Sequence, residues 1–198
     1  TDAPGALAWS PDGTTLLAPS ARTLPIWRVR SKKLRRSCAI PLGNDFGLCN
    51  ALAWSPDGTA FAAGGDGSIL HIWDSRSLVP RHTIHTPSNV ADLGWSPDGE
   101  TLAGASGDAV FLWEAASGRP LRNGIVKPCA GRFAWKSDGS ALVLGKHELY
   151  RVWRFESPSP VDRFVVDRAV DDPIDLISSV AWFPDGRHLL FATYRGSV

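Results

Sequence analysis

The chain has 198 residues, 43% of them hydrophobic, and its 21 basic and 20 acidic side chains leave a net charge of +1. That is one domain's worth of core with no global field to draw it to nucleic acid or a membrane surface. Its longest apolar runs are strand-sized, which excludes a bilayer-spanning helix, and no signal-peptide pattern is read at its start.

The first unit, residues 6–41, opens with Trp9-Ser-Pro-Asp-Gly13 and carries a second tryptophan, Trp27. Directly behind Trp27 come Arg28, Arg30, Lys32, Lys33, Arg35 and Arg36, six basic residues in nine. They read as a solvated loop between a third and a fourth strand. The alternative is a contact for phosphate or an acidic partner, or a nuclear-targeting stretch. No aromatic interleaving suggests base stacking, so nucleic acid is not the expected partner. The connection from Trp27 to the next first-strand tryptophan, Trp54, is long and contains Asn44, Asp45, Phe46 and Leu48.

The second unit, residues 51–84, is the clearest. Ala51 to Trp54 reads as a first strand. Pro56-Asp57-Gly58 is a tight turn, with Pro setting φ at the first central position and Gly accepting positive φ at the end. Thr59 to Ala63 is a second strand, and Gly64 to Gly67 a glycine-rich turn. Ile69 to Trp73 is a third strand and Val79 to Ile84 a fourth.

The third unit, 91–126, repeats this with Trp95 and Trp113, and the fourth, 132–169, with Trp135 and Trp153. A second long connection runs from Trp153 to Trp182 and includes Asp171, Asp172 and Ile174. Both long connections exceed their counterparts from Trp73 to Trp95 and from Trp113 to Trp135. A fifth unit, 179–198, holds Trp182 and only the start of a third strand at Arg195 to Val198. The turn tryptophans, Trp9, Trp54, Trp95, Trp135 and Trp182, recur close to the period of about 40–45 residues that marks propeller blades. The two sets together account for every tryptophan in the chain.

One four-stranded unit cannot bury both faces, but stacked neighbours can, which is the logic of propeller blades. Trp9, Trp27, Trp54, Trp73, Trp95, Trp113, Trp135, Trp153 and Trp182 are therefore expected in the core between blades. The chain has no methionine, and it reads as a fragment of a longer protein. Cys38, Cys49 and Cys129 have irregular spacing, no CxxC pair and an odd count. They read as free thiols of a reducing compartment. The five histidines form no ligand spacing, and no nucleophile–base–orienter set is visible, so neither metal, cofactor nor catalysis is expected.

Ile72-Trp73-Asp74 resembles the dipeptide that ends WD40 repeats, and Leu112-Trp113-Glu114 resembles a variant of it. The resemblance covers nearly the whole chain. It departs from the pattern in lacking the usual Gly-His pair, with His85 near that position in one unit only. The turn aspartate appears only as Asp66 and Asp108. What the resemblance implies is an all-β fold: a WD40-type β-propeller segment of four complete blades and a partial fifth. These form an open arc, part of a larger, seven-bladed ring. It also implies an intracellular, non-catalytic scaffold for other proteins or peptides. Asn44, Asp45, Phe46, Leu48, Asp171, Asp172 and Ile174 are the candidate contacts, Phe46 foremost because aromatics dominate hot spots. Val110 to Ala115, with Cys129 and Gly131, is also similar to the aladin-type nucleoporins of the nuclear pore complex, which implies the nuclear envelope. The alternative is a sensor or targeting segment of a multidomain, bacterial signalling protein.

Overall fold

A computed structural model describes residues 6–20, 22–126, 131–146, 149–155, 162–165 and 177–193. All regular structure among them is β. Blade 1 is β1 (Ala8–Trp9), β2 (Thr15–Leu17), β3 (Thr23–Arg30) and β4 (Lys33–Pro41). Blade 2 is β5 (Cys49–Trp54), β6 (Ala60–Gly65), β7 (Ile69–Asp74) and β8 (Pro80–His85). Blade 3 is β9 (Val90–Trp95), β10 (Thr101–Ser106), β11 (Ala109–Glu114) and β12 (Pro120–Val126). Blade 4 is β13 (Arg132–Trp135), β14 (Ala141–Lys146), β15 (Leu149–Arg154) and β16 (Asp162–Val165). Blade 5 shows β17 (Ile177–Trp182) and β18 (Leu189–Thr193), starting just before the expected Ser179. Each sheet is an antiparallel meander in chain order. The third strand expected at Arg195 to Val198 and the end of the fourth unit, 166–169, lie outside the described residues, as does Cys129.

The blades stack through their first strands. β1 packs on β5, β5 on β9, β9 on β13 and β13 on β17, and no comparable packing joins β17 to β1 among the described residues. The result is an open arc, as the unit count requires. Four apolar clusters fill the four gaps. Between blades 1 and 2 lie Leu17, Leu24, Ile26, Phe61 and Trp73, and between 2 and 3 lie Ala60, Ala62, Leu70, Leu102 and Trp113. Leu112, Phe133 and Leu142 fill the third gap, and Val143, Val152 and Val180 the fourth. Side chains alternate across each strand. Phe61 and Ala63 of β6 therefore face blade 1, while Ala60 and Ala62 face blade 3.

Cross-strand register explains the tryptophans. Trp54 stands opposite Phe61, and Phe61 opposite Trp73, so the three form one row on one face. Their ring centroids are 5.3 and 5.4 Å apart. The row faces the preceding blade. Trp95–Leu102–Trp113 and Trp135–Leu142–Trp153 repeat it. The first-strand indole of each later blade also donates to a backbone carbonyl of the blade before: Trp54 to Ala8 (3.2 Å), Trp95 to Ala53 (3.3 Å), Trp135 to Gly94 (3.1 Å) and Trp182 to Ala134 (3.1 Å). Each of these acceptors immediately precedes the equivalent tryptophan of its own blade. Trp9 corrects the expectation that every tryptophan is inter-blade core. It is 52% exposed, because its row, Trp9–Leu16–Trp27, turns to a face on which no described blade lies.

The Ser-Pro-Asp-Gly turns are stapled locally. Asp57 accepts from Ser55 Oγ (2.6 Å) and Thr59 N (3.0 Å), Gly58 takes φ of 70°, and Thr59 Oγ1 donates to the second carboxylate oxygen. The same backbone contact recurs at Asp12, Asp98 and Asp138. These charge-assisted bonds hold the carboxyls of Asp12, Asp57 and Asp98 below the ordinary aspartate range, with the serine hydroxyl the largest cause.

Candidate functional site

The long connection from blade 1 to blade 2 is not a free loop. Leu42 N donates to Arg22 O (2.9 Å), and Arg22 Nη1 donates to Asn44 Oδ1 (2.8 Å). Beyond Asn44 the chain lies across the β6–β7 turn: Gly67 N donates to Phe46 O (2.9 Å) and Asp66 N to Leu48 O (3.0 Å). Asn50 Nδ2 donates to Asp66 and closes the platform. The approach is so close that a Cβ at Gly67 would stand 1.7 Å from Asp45 O, and one at Gly65 2.4 Å from Leu48 O. The glycine-rich turn of blade 2 is thus the seat of the connection.

Phe46 is the correction here. The sequence makes it the exposed anchor, yet it is 1% exposed and belongs to the cluster between blades 1 and 2. Its ring stacks on His71 at 5.4 Å, and His71 packs in turn on Trp73 at 5.2 Å. Burial, helped by the nearby His85, pushes the His71 imidazole down, which favours the neutral ring in this ladder. Phe46 holds the connection down instead of offering it to a partner. What remains outward is Asn44, Asp45 and Leu48, the last 59% exposed. Asp171, Asp172 and Ile174 of the second connection lie outside the described residues.

Three further features stand outside this connection, the first two with no clear signal in the sequence. Asp92 of β9, partly buried, accepts Phe133 N of the next blade's first strand at 3.2 Å, with Arg132 Nη1 at 3.7 Å. Burial pushes its carboxyl up, against the pull of that N–H and of Arg132. His82 Nε2 reaches Ala116 O of the next blade at 2.9 Å, another polar link between blades. The third is the basic stretch, which is not a loop. Arg28 and Arg30 lie in β3, Lys32 in a two-residue turn and Lys33, Arg35 and Arg36 in β4, all of them exposed. Ser31 and Lys32 take φ of 51° and 60°, the double left-handed geometry of a tight hairpin, with neither Asn nor Gly to signal it. The hairpin emerges at the end of the blade that carries the Ser-Pro-Asp-Gly turns, opposite the connection. There Arg28 borders a cleft of about 240 Å³ with Asp12 and Asp57.

Cys38 and Cys49 are free thiols; burial pushes the Cys49 thiol up to about 12, which makes it unreactive. Among the described residues no three His, Cys, Asp or Glu side chains gather in a metal-sized group, and no helix is long and apolar enough to cross a membrane.

Residues 37–74 and 78–114 match the family described as "WD domain, G-beta repeat". No curated protein matches the chain. Among solved structures, Kuenenia stuttgartiensis hydrazine synthase superposes with a TM-score of 0.80 over 98% of this chain at 17% identity. The β-propeller domain of Myceliophteria thermophila Cps50 (Swd1) does so with a TM-score of 0.79 over 96% at 14% identity. The chain spans 56% of the first and 62% of the second. At these identities the likeness shows the fold, a β-propeller, and nothing of activity.

Proposed function

We propose that this stretch of WD-repeat β-propeller is a non-catalytic scaffold on which other proteins or peptides assemble, with Asn44, Asp45 and Leu48 as one contact surface. The observation that carries the reading is the pinned connection between blades 1 and 2. An exposed leucine on a segment fixed by Phe46 beneath and by two backbone hydrogen bonds is presented without the entropy cost of ordering a mobile loop on binding. Rigid blades carrying such segments suit recognition, and fold alone does not supply chemistry.

Selection of a random displayed peptide library on the chain tests this. Enriched peptides should lose about tenfold or more in affinity to a Leu48→Asp variant, since an apolar anchor contact is worth about 1.4 kcal/mol or more. Undiminished binding to that variant would remove the surface assignment. No enrichment over an unrelated propeller would remove the scaffold reading.

Two narrower forms differ in context. An aladin-like subunit of the nuclear pore complex rests on Val110 to Ala115, and the tagged parent protein would then mark the nuclear rim. A sensor or targeting segment of a bacterial signalling protein rests on the consecutive Trp-Ser-Pro-Asp-Gly units. In that case the parent reading frame would carry an effector domain.

A further inference from the structure

We propose that the outer edge of β4, flanked by Arg28, Arg30, Lys33 and Arg35, is a docking site for an extended acidic peptide that adds to blade 1 as one more strand. The site stands apart from the connection surface and does not depend on it.

Register places the charges. Arg30 lies directly opposite Lys33, and Arg28 directly opposite Arg35. Directly opposed residues share a face, so these four cations form a two-by-two array on one side of the hairpin. The other side carries Val29 opposite Leu34 and Trp27 opposite Arg36. None of the six basic residues takes part in an ion pair among the described residues. The two carboxylates that line the cleft with Arg28, Asp12 and Asp57, are already engaged by their own turns. Like charges facing each other across a ladder destabilise a sheet. Protecting an edge against unwanted pairing needs a lysine or two, not two facing pairs. The array therefore costs the fold stability that edge protection does not explain, and a polyanion would recover it.

The edge selects the kind of anion. β4 ends the sheet, with β3 on one side only, and spans Lys33–Pro41, the longest strand among the described residues. Among the described residues no strand pairs with its outer ladder, which leaves that ladder to a peptide. In a strand added there, every second side chain falls on one face at a repeat of roughly 7 Å and about 5 Å from its cross-strand neighbour. That repeat is also the one between Lys33 and Arg35, which share a strand and a face. A peptide with Asp or Glu at alternate positions would set successive carboxylates against Lys33 and Arg35. Arg28 and Arg30 would reinforce the field from one strand further in. On the hairpin itself no aromatic side chain pairs with any of the four cations, so successive bases would find no stacking platform along it.

Fluorescence anisotropy on the whole chain tests the proposal with four labelled probes. These are an alternating Glu-Thr decapeptide, the same composition with the glutamates in one block, and the alternating peptide N-methylated on either alternate set of amides. An oligo-dT serves as competitor. The alternating peptide should bind about tenfold tighter than the block peptide, the margin that register-matched charge pairs allow. Methylation of one set of amides should abolish binding while the other set is tolerated, because only one set faces the β4 edge. Arg35→Glu and Lys33→Glu should each weaken the complex by about tenfold. Their melting temperatures should not fall, since both relieve like-charge pairs. Equal binding of alternating and block peptides, indifference to both methylation patterns, or indifference to charge reversal would overturn the proposal. So would displacement of the peptide by oligo-dT at comparable phosphate concentration, in favour of a nucleic acid groove.

Discussion

Gly67→Ala tests whether the connection between blades 1 and 2 is seated as described. The position lies outside the left-handed region, so an alanine meets no intrinsic backbone penalty there. What it meets is Asp45 O, 1.7 Å from where the Cβ would stand, with backbone carbons of Asp45 and Phe46 at 2.8 Å. Ordinary contact needs the connection to retreat by roughly 1.5 Å, since carbon and oxygen rest above about 3 Å. The hydrogen bonds Gly67 N to Phe46 O and Asp66 N to Leu48 O, at 2.9 and 3.0 Å, would then pass the useful limit. Each is worth about 1 kcal/mol. Partial withdrawal of the buried Phe46 adds about half of the ~1.5–3 kcal/mol that full burial of such a ring provides. The lower chain entropy of alanine in the unfolded state returns about 0.5 kcal/mol. The expected loss is about 2–3 kcal/mol in urea denaturation, with faster hydrogen exchange at the Asp66 amide. Gly43→Ala is the control. Gly43 sits at φ of 78° with open space around its Cβ position, so it should lose only the left-handed penalty of about 1 kcal/mol, with exchange at Asp66 unchanged. A Gly67→Ala variant as stable as wild type, or one that behaves like Gly43→Ala, would refute the seating.

Trp95→Phe leaves Ala53 O without its indole donor and should cost about 1–2 kcal/mol, whereas Trp9→Phe, with no described blade against it, should stay within about 0.5 kcal/mol; equal losses in denaturation would show that the row does not work as described. Replacing Ser31-Lys32 by Asn-Gly relieves two non-glycine left-handed residues and should raise stability by about 1 kcal/mol, and a fall in melting temperature would mean the turn is not of this type. Asp92 has its carboxyl pushed up by burial, so its contribution favours the fold at low pH and is lost as pH rises through the raised value. Asp92→Asn keeps an acceptor for Phe133 N and should gain stability relative to wild type as pH rises above the ordinary aspartate value; a difference that is flat with pH would contradict the burial. Asp57 runs the opposite way. Its carboxyl is held low, so its stabilisation is present above the ordinary aspartate value and is lost as pH falls through the lowered one. Asp57→Asn should therefore flatten the acid limb of the pH–stability curve, and an unchanged limb would show that the turn bonds do not form in solution.

The blades were legible because their signal is local and repeated. A first-strand tryptophan, a Ser-Pro-Asp-Gly turn and a second tryptophan at a near-constant distance specify strand, turn and strand whatever the neighbours do. What decided the rest was non-local. Phe46 sits in a polar connection and reads as an exposed anchor; its burial depends on Gly65 and Gly67, well beyond it in the chain, letting the backbone come close enough for the ring to reach His71. Trp9 shares every local feature of Trp54, and only the blade against its row distinguishes them. The basic stretch hides a hairpin because its turn lacks Asn or Gly and because its second strand, from Lys33 through Arg35 and Arg36 to Ser37, does not keep the alternation of apolar and polar residues that marks β structure. Asp92 reads only as part of an apolar first strand; its partner, Phe133 N, belongs to the next blade.

Blades 2 and 3 manage with strands of six residues, or seven at β12, while β3 and β4 of blade 1 run to eight and nine. The surplus does no packing. Ile26 and Leu24 fill the core between blades 1 and 2, but from Arg28 onward the hairpin is exposed on both faces. It adds strained backbone at Ser31 and Lys32 and two like-charge pairs, so folding alone selects against it. At its other end the same β4 strand leads into the connection that Phe46 pins down. These two departures from the blade repeat thus adjoin one strand, at opposite ends of blade 1. A partner engaged at both ends would be held by two weak contacts at a fixed separation. The second contact would then form at high effective concentration, and affinity would come from the rigidity of the blade between them.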